Sequence, residues 1–301
     1  MNLADFNPPI GSAETLAPNL RRVLAPNPSP MTYRGTNTYL LGAEQIAVID
    51  PGPESQAHLD ALLSACSDQE ITHIVVTHSH VDHSPLAKAL SQATGAPVLA
   101  YGPSSAGRSD AMLACLEAGM NSGGEGIDPD FAPDILLKDG EVFSAGDQTL
   151  TALHTPGHMG NHLCFAWDNT LFCGDLVMGW ASSLVSPPDG DLTDFMASCV
   201  KIRDLDPQVM HAGHGAPITE PIARIDWLIA HRNARAEQIL EQLKHGPKPA
   251  LILAQEIYTD TPKALIPAAT RNVFAHLIDL EGKNLVTREG VPNEGALFKL
   301  R

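Results

Sequence analysis

Residues 71–83 read ITHIVVTHSHVDH, a stretch that decides the fold because it joins a strand directly to a set of metal donors. Its first part, 71–78, is apolar and rich in β-branched side chains, which predicts a buried strand ending at His78. Side chains alternate along an extended chain, so His78 and His80 point the same way, toward one ion. Asp82 and His83 fall where the chain turns into a helix, and they face a second ion nearby. Imidazole and carboxylate donors at these spacings suit zinc or a similar divalent metal. A solvated histidine-rich loop is the competing reading, and the density of donors weighs against it.

Outward from this stretch, short apolar runs alternate with turns. Residues 38–41 and 45–50 read as paired strands around Gly42-Ala43-Glu44, with Asp50-Pro51-Gly52-Pro53 as the stop. Helical spacing marks 55–67 and 85–94, and 97–101 reads as a further strand, so the pattern predicts an α/β layered domain. Residues 103–134 break the rhythm: a predicted helix at 110–118 is followed by a Gly-rich run from Gly119 to Gly126. Such an insertion reads equally as a functional loop or as a neutral excursion. Strands resume at 135–137, 148–154, 162–167 and 170–173, and their close spacing predicts antiparallel pairing with Asp168-Asn169 as a tight turn. From residue 221 the texture changes to a long charged helix at 222–245, closed by Gly246-Pro247. Helices at 250–258 and 264–281 and a short hairpin from 284–288 and 296–300 follow. This order predicts two domains, a catalytic one over 1–220 and a winged-helix-like appendage over 221–301.

Composition narrows the setting. With 44% hydrophobic and 18% charged residues, the chain has the balance of a globular protein with a sizeable core. No stretch approaches the apolar length of a membrane span, and the first residues show neither the basic start nor the apolar run of a signal peptide. Five scattered cysteines without CxxC spacing indicate a reducing compartment, so a cytoplasmic location is the expectation. The net charge of −16 counts against a long polyanionic partner, though bound metal ions supply local positive charge that a residue count misses.

Four more segments supply donors, each at a predicted strand end or turn. They are His154-Thr155-Pro156-Gly157-His158, Leu171-Phe172-Cys173-Gly174-Asp175, Met210-His211-Ala212-Gly213-His214-Gly215 and Ala47-Val48-Ile49-Asp50. One sheet edge can gather them, with His78, His80 and His158 around one ion, Asp82, His83 and His214 around the other, and Asp175 bridging. Asp50 is read as the acceptor that orients a ligand histidine. His154, beside a ligand, is read as a hydrogen-bonding neighbour of the ligands, as are His162 and His211, with ordinary packing as the alternative. Cys173 is read as a buried thiol of its strand.

The ordered set His78-x-His80-x-Asp82-His83, then His158, Asp175 and His214, resembles the metallo-β-lactamase superfamily over residues from about 20 to 220. The resemblance implies an αββα sandwich with two divalent ions along one edge, zinc first and manganese or iron as alternatives. A hydroxide bridging the ions would be the attacking group, and Asp82 the carboxylate that holds and hands on its proton. Zinc β-lactamases lack the bridging aspartate, whereas glyoxalase II-like thioesterases, lactonases and the phosphodiesterase or nuclease branches carry it. Residues 28–39 (PSPMTYRGTNTY) and 231–240 (HRNARAEQIL) further resemble a beta-lactamase-like branch with a C-terminal winged-helix-like domain. That branch includes an endoribonuclease of single-stranded RNA, and other members are called simply metallo-hydrolases.

Substrate choice then falls to the rim. Trp180, Ser182 and Ser183 lie in the 176–192 loop after Asp175, where Trp180 can stack on a substrate or pack a domain interface. Tyr33, Arg34 and Asn37 belong to the entry segment, with Arg34 read as an anion contact or a structural ion pair. His231, Arg232, Arg235 and Lys244 read as a solvated helix face, interleaved with Glu237 and Glu241, before they read as a nucleic-acid track. The reading adopted is a dinuclear zinc hydrolase of a small thioester, ester or lactone, with no membrane partner. Its rivals are an endoribonuclease of single-stranded RNA, a weak β-lactamase, and a non-catalytic metal-stabilised binding protein. The C-terminal domain leaves room for a homodimer.

Overall fold

A computed structural model describes residues 6–121 and 126–301, so residues 122–125 of the Gly-rich run lie outside the described residues. Seven strands form the first sheet: β1 (Ala13–Ala17), β2 (Leu20–Leu24), β3 (Asn37–Leu41), β4 (Gln45–Ile49), β5 (Glu70–Val75), β6 (Val98–Ala100) and β7 (Ile135–Leu136). They lie in sequence order, antiparallel as far as β4 and parallel beyond it, with α1 (Gln56–Ala65) and α2 (Leu86–Thr94) as crossovers. The second sheet runs β12-β11-β10-β9-β8, from β8 (Val142–Ala145), β9 (Gln148–His154), β10 (Leu163–Trp167), β11 (Thr170–Gly174) and β12 (Val209–Ala212). Only its β11–β12 pair is parallel, and α4 (Leu192–Arg203) makes that crossover.

Strand periodicity of two builds the layers. In β4, Ala47 and Ile49 face the apolar layer between the sheets, beside Val75, Phe165 and Phe172. Ile46 and Val48 point the other way and pack under α1 and α2, against Leu62 and Leu90. In β11, Phe172 joins the central layer, whereas Leu171 and Cys173 turn outward under Phe195, Cys199 and Ile202 of α4. The result is the expected αββα sandwich.

The C-terminal part consists of α5 (Pro221–Leu243), α6 (Ala250–Ile257), a 3-10 turn at Lys263–Leu265, α7 (Ile266–Gly282) and the hairpin β13 (Val286–Glu289) and β14 (Leu297–Leu300). It has a core of its own around Leu253, Val273, Phe274, Leu277 and Phe298. Helix α5 belongs to both halves: Ile225 and Leu228 enter the core under α4, and Ile239 and Leu243 enter the C-terminal core. The 103–134 insertion is tied in as well, because α3 (Asp110–Glu117) inserts Met112 and Cys115 into that same C-terminal core.

Two expectations need correction. The strand expected to end at His78 leaves the ladder after Val75, because the Thr77 N–H is taken by the Asp50 carboxylate at 2.7 Å. The strand expected antiparallel at 135–137 instead joins β6 in parallel, as the short edge of the first sheet. All five cysteines are free and buried, and among the described residues no helix is long and apolar enough to cross a membrane.

Candidate metal centre

The two sheets end together at one edge, and the strand ends and loops there carry the donors. Asp50 sits just past β4 in a left-handed conformation (φ 52°) that swings its carboxylate under the 77–83 segment. It accepts from the Thr77 N–H, from Thr77 Oγ1 at 2.8 Å, and from His83 Nδ1 at 2.9 Å. With Nδ1 engaged, His83 turns Nε2 toward Asp82 Oδ2 at 3.5 Å, Asp175 Oδ1 at 3.6 Å and His214 Nε2 at 3.4 Å. Asp50 is thus in contact with His83, the geometry that the orienting role read for it from the sequence requires. Two backbone carbonyls do the same elsewhere: His158 Nδ1 faces Leu184 O at 2.7 Å and His214 Nδ1 faces Gly35 O at 3.2 Å, leaving both Nε2 atoms turned inward.

Three donor groups result: His78, His80 and His158; His78, His83 and Asp175; and Asp82, His83 and His214, the atoms of each lying within 4.8 Å of one another. Asp175 touches both outer groups, with Oδ2 at 3.8 Å from His158 Nε2 and 3.3 Å from His214 Nε2. The seven donors read from the sequence are thus brought together. Gly213 permits this closeness, because any Cβ there would lie 2.5 Å from His83 Cε1.

The donors fit divalent cations. His80 Nδ1 lies 3.0 Å from His78 Nε2 and 3.1 Å from His158 Nε2, so three ring nitrogens converge at a spacing that a shared cation would satisfy. Imidazole nitrogens sharing one tetrahedral zinc stand about 3.3 Å apart. Among the described residues the buried Asp175 Oδ1 has no hydrogen-bond partner, a costly state unless a cation meets it. Burial, reinforced by its histidine neighbours, holds His78 well below the ordinary imidazole range, and the His80 imidazole falls to about 3. Burial opposes charge on His214 too, yet Asp175 and Asp82 lift it to about 10, a measure of how strongly this half of the site attracts positive charge.

A cavity of about 420 Å³ opens on the donors His80, Asp82, His158, Asp175 and His214. Its walls are Met31, Met178 and Leu184 from the loops and Ala264, Pro267, Ala268 and Arg271 from the C-terminal domain. The other expected rim residues lie elsewhere. Tyr33 stacks on Trp180 at 5.1 Å, and the two line a separate cavity of about 350 Å³ with Trp227. Arg34 is exposed with its guanidinium 5.3 Å from the Tyr33 ring. Asn37 is buried, donating to Ala212 O at 3.1 Å and Gly215 O at 2.9 Å. Ser183 donates to Leu176 O at 3.0 Å, and with Ser182 it borders a third cavity of about 200 Å³. His154 bonds no ligand; its Nε2 faces Gly160 O at 2.9 Å and its ring stacks on Tyr101 at 3.8 Å, bracing the turn that carries His158. His162 bonds Thr155 Oγ1 at 2.9 Å, and His211 packs against Tyr39 and Phe172. Two contributors carry no sequence expectation: Thr77, although it stands directly before His78, and α7, whose approach to the cavity no local pattern announces.

Residues 31–214 match the metallo-beta-lactamase superfamily and residues 250–293 the beta-lactamase associated winged helix domain. The chain therefore belongs to the metallo-beta-lactamase superfamily, as a hydrolase whose αββα sandwich is followed by a winged-helix domain. It is 34% identical over 296 residues to the Beta-lactamase-like protein 2 homolog of Drosophila melanogaster, covering 93% of this chain and 94% of that one. An atrochrysone carboxyl ACP thioesterase from Paecilomyces divaricatus is 32% identical over 243 residues, 78% of this chain and 68% of its own. A metallo-beta-lactamase family protein from Thermus thermophilus superposes with a TM-score of 0.76 at 28% identity, covering 95% of this chain and 100% of that one.

Proposed function

We propose that this chain is a dinuclear zinc-dependent thioesterase for small acyl thioesters. The observation that carries the proposal is the cavity of about 420 Å³, with metal donors on its floor and methionine, leucine, alanine and proline on its walls. Its size and character suit a short apolar acyl group lying across a metal centre. The relatives named as thioesterases support the same reading.

In it, His78, His80 and His158 would hold one ion and Asp82, His83 and His214 the other, with Asp175 reaching both His158 and His214. Ions so held supply Lewis acidity, which activates water near neutral pH and polarises a carbonyl oxygen. The protein's own residues do the rest. Asp82 turns Oδ2 to His214 at 3.1 Å and to Thr36 Oγ1 at 3.4 Å, which leaves Oδ1 for the cavity. Its side chain is 20% exposed against 9% for Asp175, so Asp82 is the carboxylate that takes a proton from the attacking water and returns it to the departing sulfur. A thiolate, whose conjugate acid has a pKa of about 8.5, leaves with little further help. Met31, Met178 and Leu184 hold the acyl chain and keep bulk water from the carbonyl.

The cations of α5 support a small substrate over RNA. Arg232 is buried, the Arg235 guanidinium lies 3.9 Å from the Tyr258 ring, His231 stacks on Trp227 at 5.1 Å, and Lys244 pairs with Glu241. They form no exposed track for a phosphate backbone.

The test is thiol release from acyl N-acetylcysteamine by the zinc-loaded protein, beside the Asp82→Ala variant and beside a labelled single-stranded RNA. Thiol release that falls on the order of 100-fold or more in the variant is the expected result. RNA cleavage that depends on Asp82, without thiol release, would move the assignment to the endoribonuclease.

A further inference from the structure

We infer that the winged-helix domain gives the metal cavity an anion site. In this proposal, which rests on the thioesterase reading, the Arg271 guanidinium receives a carboxylate or phosphate carried on the thiol portion of the substrate.

Among the described residues, Arg271 is the only arginine or lysine lining the cavity. It stands on α7, which reaches over the donors from the C-terminal domain and contributes Pro267 and Ala268 one turn earlier. The guanidinium is held in place by the protein itself. Nη1 donates to Pro187 O at 3.1 Å and lies 3.5 Å from Ser186 Oγ, and Nε lies 3.3 Å from Glu294 Oε1. Nη2 has no partner among the described residues. Nε and Nη1 thus hold the group from its two sides, and Nη2 is left to donate to an oxyanion, which gains the two-point Nε/Nη2 contact once it replaces Glu294.

Glu294 does not cancel this. Its side chain is 37% exposed in the connection between β13 and β14, and a partly solvated pair of this kind contributes little. It acts as a competitor that an incoming anion displaces. The chain as a whole carries −16, so its surface offers an anion no general attraction, and a fixed cation at the cavity wall supplies a local one away from the metal donors. Polarity within the cavity orients the substrate. Met178 is buried and apolar, so the acyl group lies there, and Arg271 is 24% exposed toward the rim, where the thiol portion leaves for solvent.

The experiment compares equilibrium binding of matched thiols to the zinc-loaded full-length protein. Pantetheine and 4′-phosphopantetheine differ by a phosphate, and N-acetylcysteamine and N-acetylcysteine by a carboxylate. Metal–sulfur contacts are common to each pair, so the difference within a pair reports the anion alone, and the two pairs tell phosphate from carboxylate. The charged member of one pair should bind about tenfold more tightly, the scale of one charge-assisted hydrogen bond. Arg271→Gln should remove that gap, and Arg271→Lys should retain part of it. Glu294→Gln, which keeps Arg271 and frees it of its competitor, should widen it. Equal binding within both pairs, a gap that persists in Arg271→Gln, or a gap unmoved by Glu294→Gln would overturn the anion site. The last outcome would make Arg271 a clamp for the wing. Hydrolysis of acyl N-acetylcysteamine, measured alongside, separates the two ideas: no turnover with the gap intact removes the thioesterase and keeps the anion site, whereas turnover without a gap does the reverse.

Discussion

Gly157 precedes the candidate ligand His158 at φ 136°, and a Cβ there would stand 2.6 Å from Phe195 Cβ and nearer still to the Phe195 backbone. Gly157→Ala must therefore push α4 away or turn the His158 loop, and both options touch the metal centre. The expected cost is roughly 2–4 kcal/mol of stability together with weaker zinc binding, read by denaturant unfolding with and without zinc. Zinc affinity unchanged in a destabilised variant would mean that α4 gives way and the loop does not. His58 supplies a second single-residue prediction, away from the donors. It is buried with Nε2 2.8 Å from Thr38 Oγ1, and burial lowers its imidazole to about 4. The unfolded chain, at about 6.5, binds the proton more readily, so the contribution of neutral His58 is complete above pH 6.5 and declines as pH falls toward 4. At pH 5 this costs on the order of 2 kcal/mol. His58→Gln keeps a polar partner for Thr38 without titrating, so the metal-free variant should lose less stability than the parent between pH 7.5 and pH 5. Parallel declines in urea unfolding would assign the acid sensitivity to other groups.

At the scale of elements, the hydrophobic period showed most of the sandwich because each strand divides its residues between two buried layers. The 45–49 run was legible for that reason, with Ala47 and Ile49 on one face and Ile46 and Val48 on the other. Helix α4 is legible too, since Leu192, Phe195, Cys199 and Ile202 recur at helical spacing behind the cap Asp191, but it directly follows the irregular loop after Asp175 and carries no donor to mark it. Strand β1 carries little signal to read, since its residues are exposed or half-buried. The convergence of the candidate donors was legible, because metal ligation restricts residue type and these residues do come together. The rim was not, because its walls come from loops and from α7, more than 80 positions beyond Asp175 in sequence. Asn37 illustrates the gap: sequence placed it near the mouth, whereas its amide binds the β12 end and the His214 loop to β3. Asn37→Ala leaves Ala212 O and Gly215 O without that donor on either side of His214. It should cost about 1–3 kcal/mol and weaken binding of one zinc equivalent more than the other in a stepwise metal titration. Equal weakening of both equivalents would argue against a loop-specific effect.

For the whole molecule, the question is whether sandwich and winged helix act as one body, and Arg232 is where they meet. It is 2% exposed on α5, donates to Asn272 Oδ1 of α7 at 2.6 Å and to Ser183 O, and lies 5.1 Å from the Phe195 ring of α4. One side chain thus joins the helix layer of the sandwich, the loop after Asp175 and the C-terminal core. Helix α5 reinforces the junction by entering both cores, and α3 crosses in the other direction through Met112 and Cys115. With so much shared apolar surface, the parent protein should unfold in a single calorimetric transition. Arg232→Ala leaves two buried acceptors unmet and should lower stability by about 2–4 kcal/mol. The consequence reaches further than stability. Ser183 adjoins Leu184, whose carbonyl faces His158 Nδ1 at 2.7 Å, so a loosened Ser183 also loosens the tether of a candidate metal ligand. Zinc affinity should therefore fall in Arg232→Ala although the residue is no donor, and Arg232→Lys, which restores charge without the fork, should recover little of it. A variant that melts earlier yet binds zinc with the parent's affinity would confine Arg232 to the domain junction, and the winged helix would then shape the cavity without governing the metals.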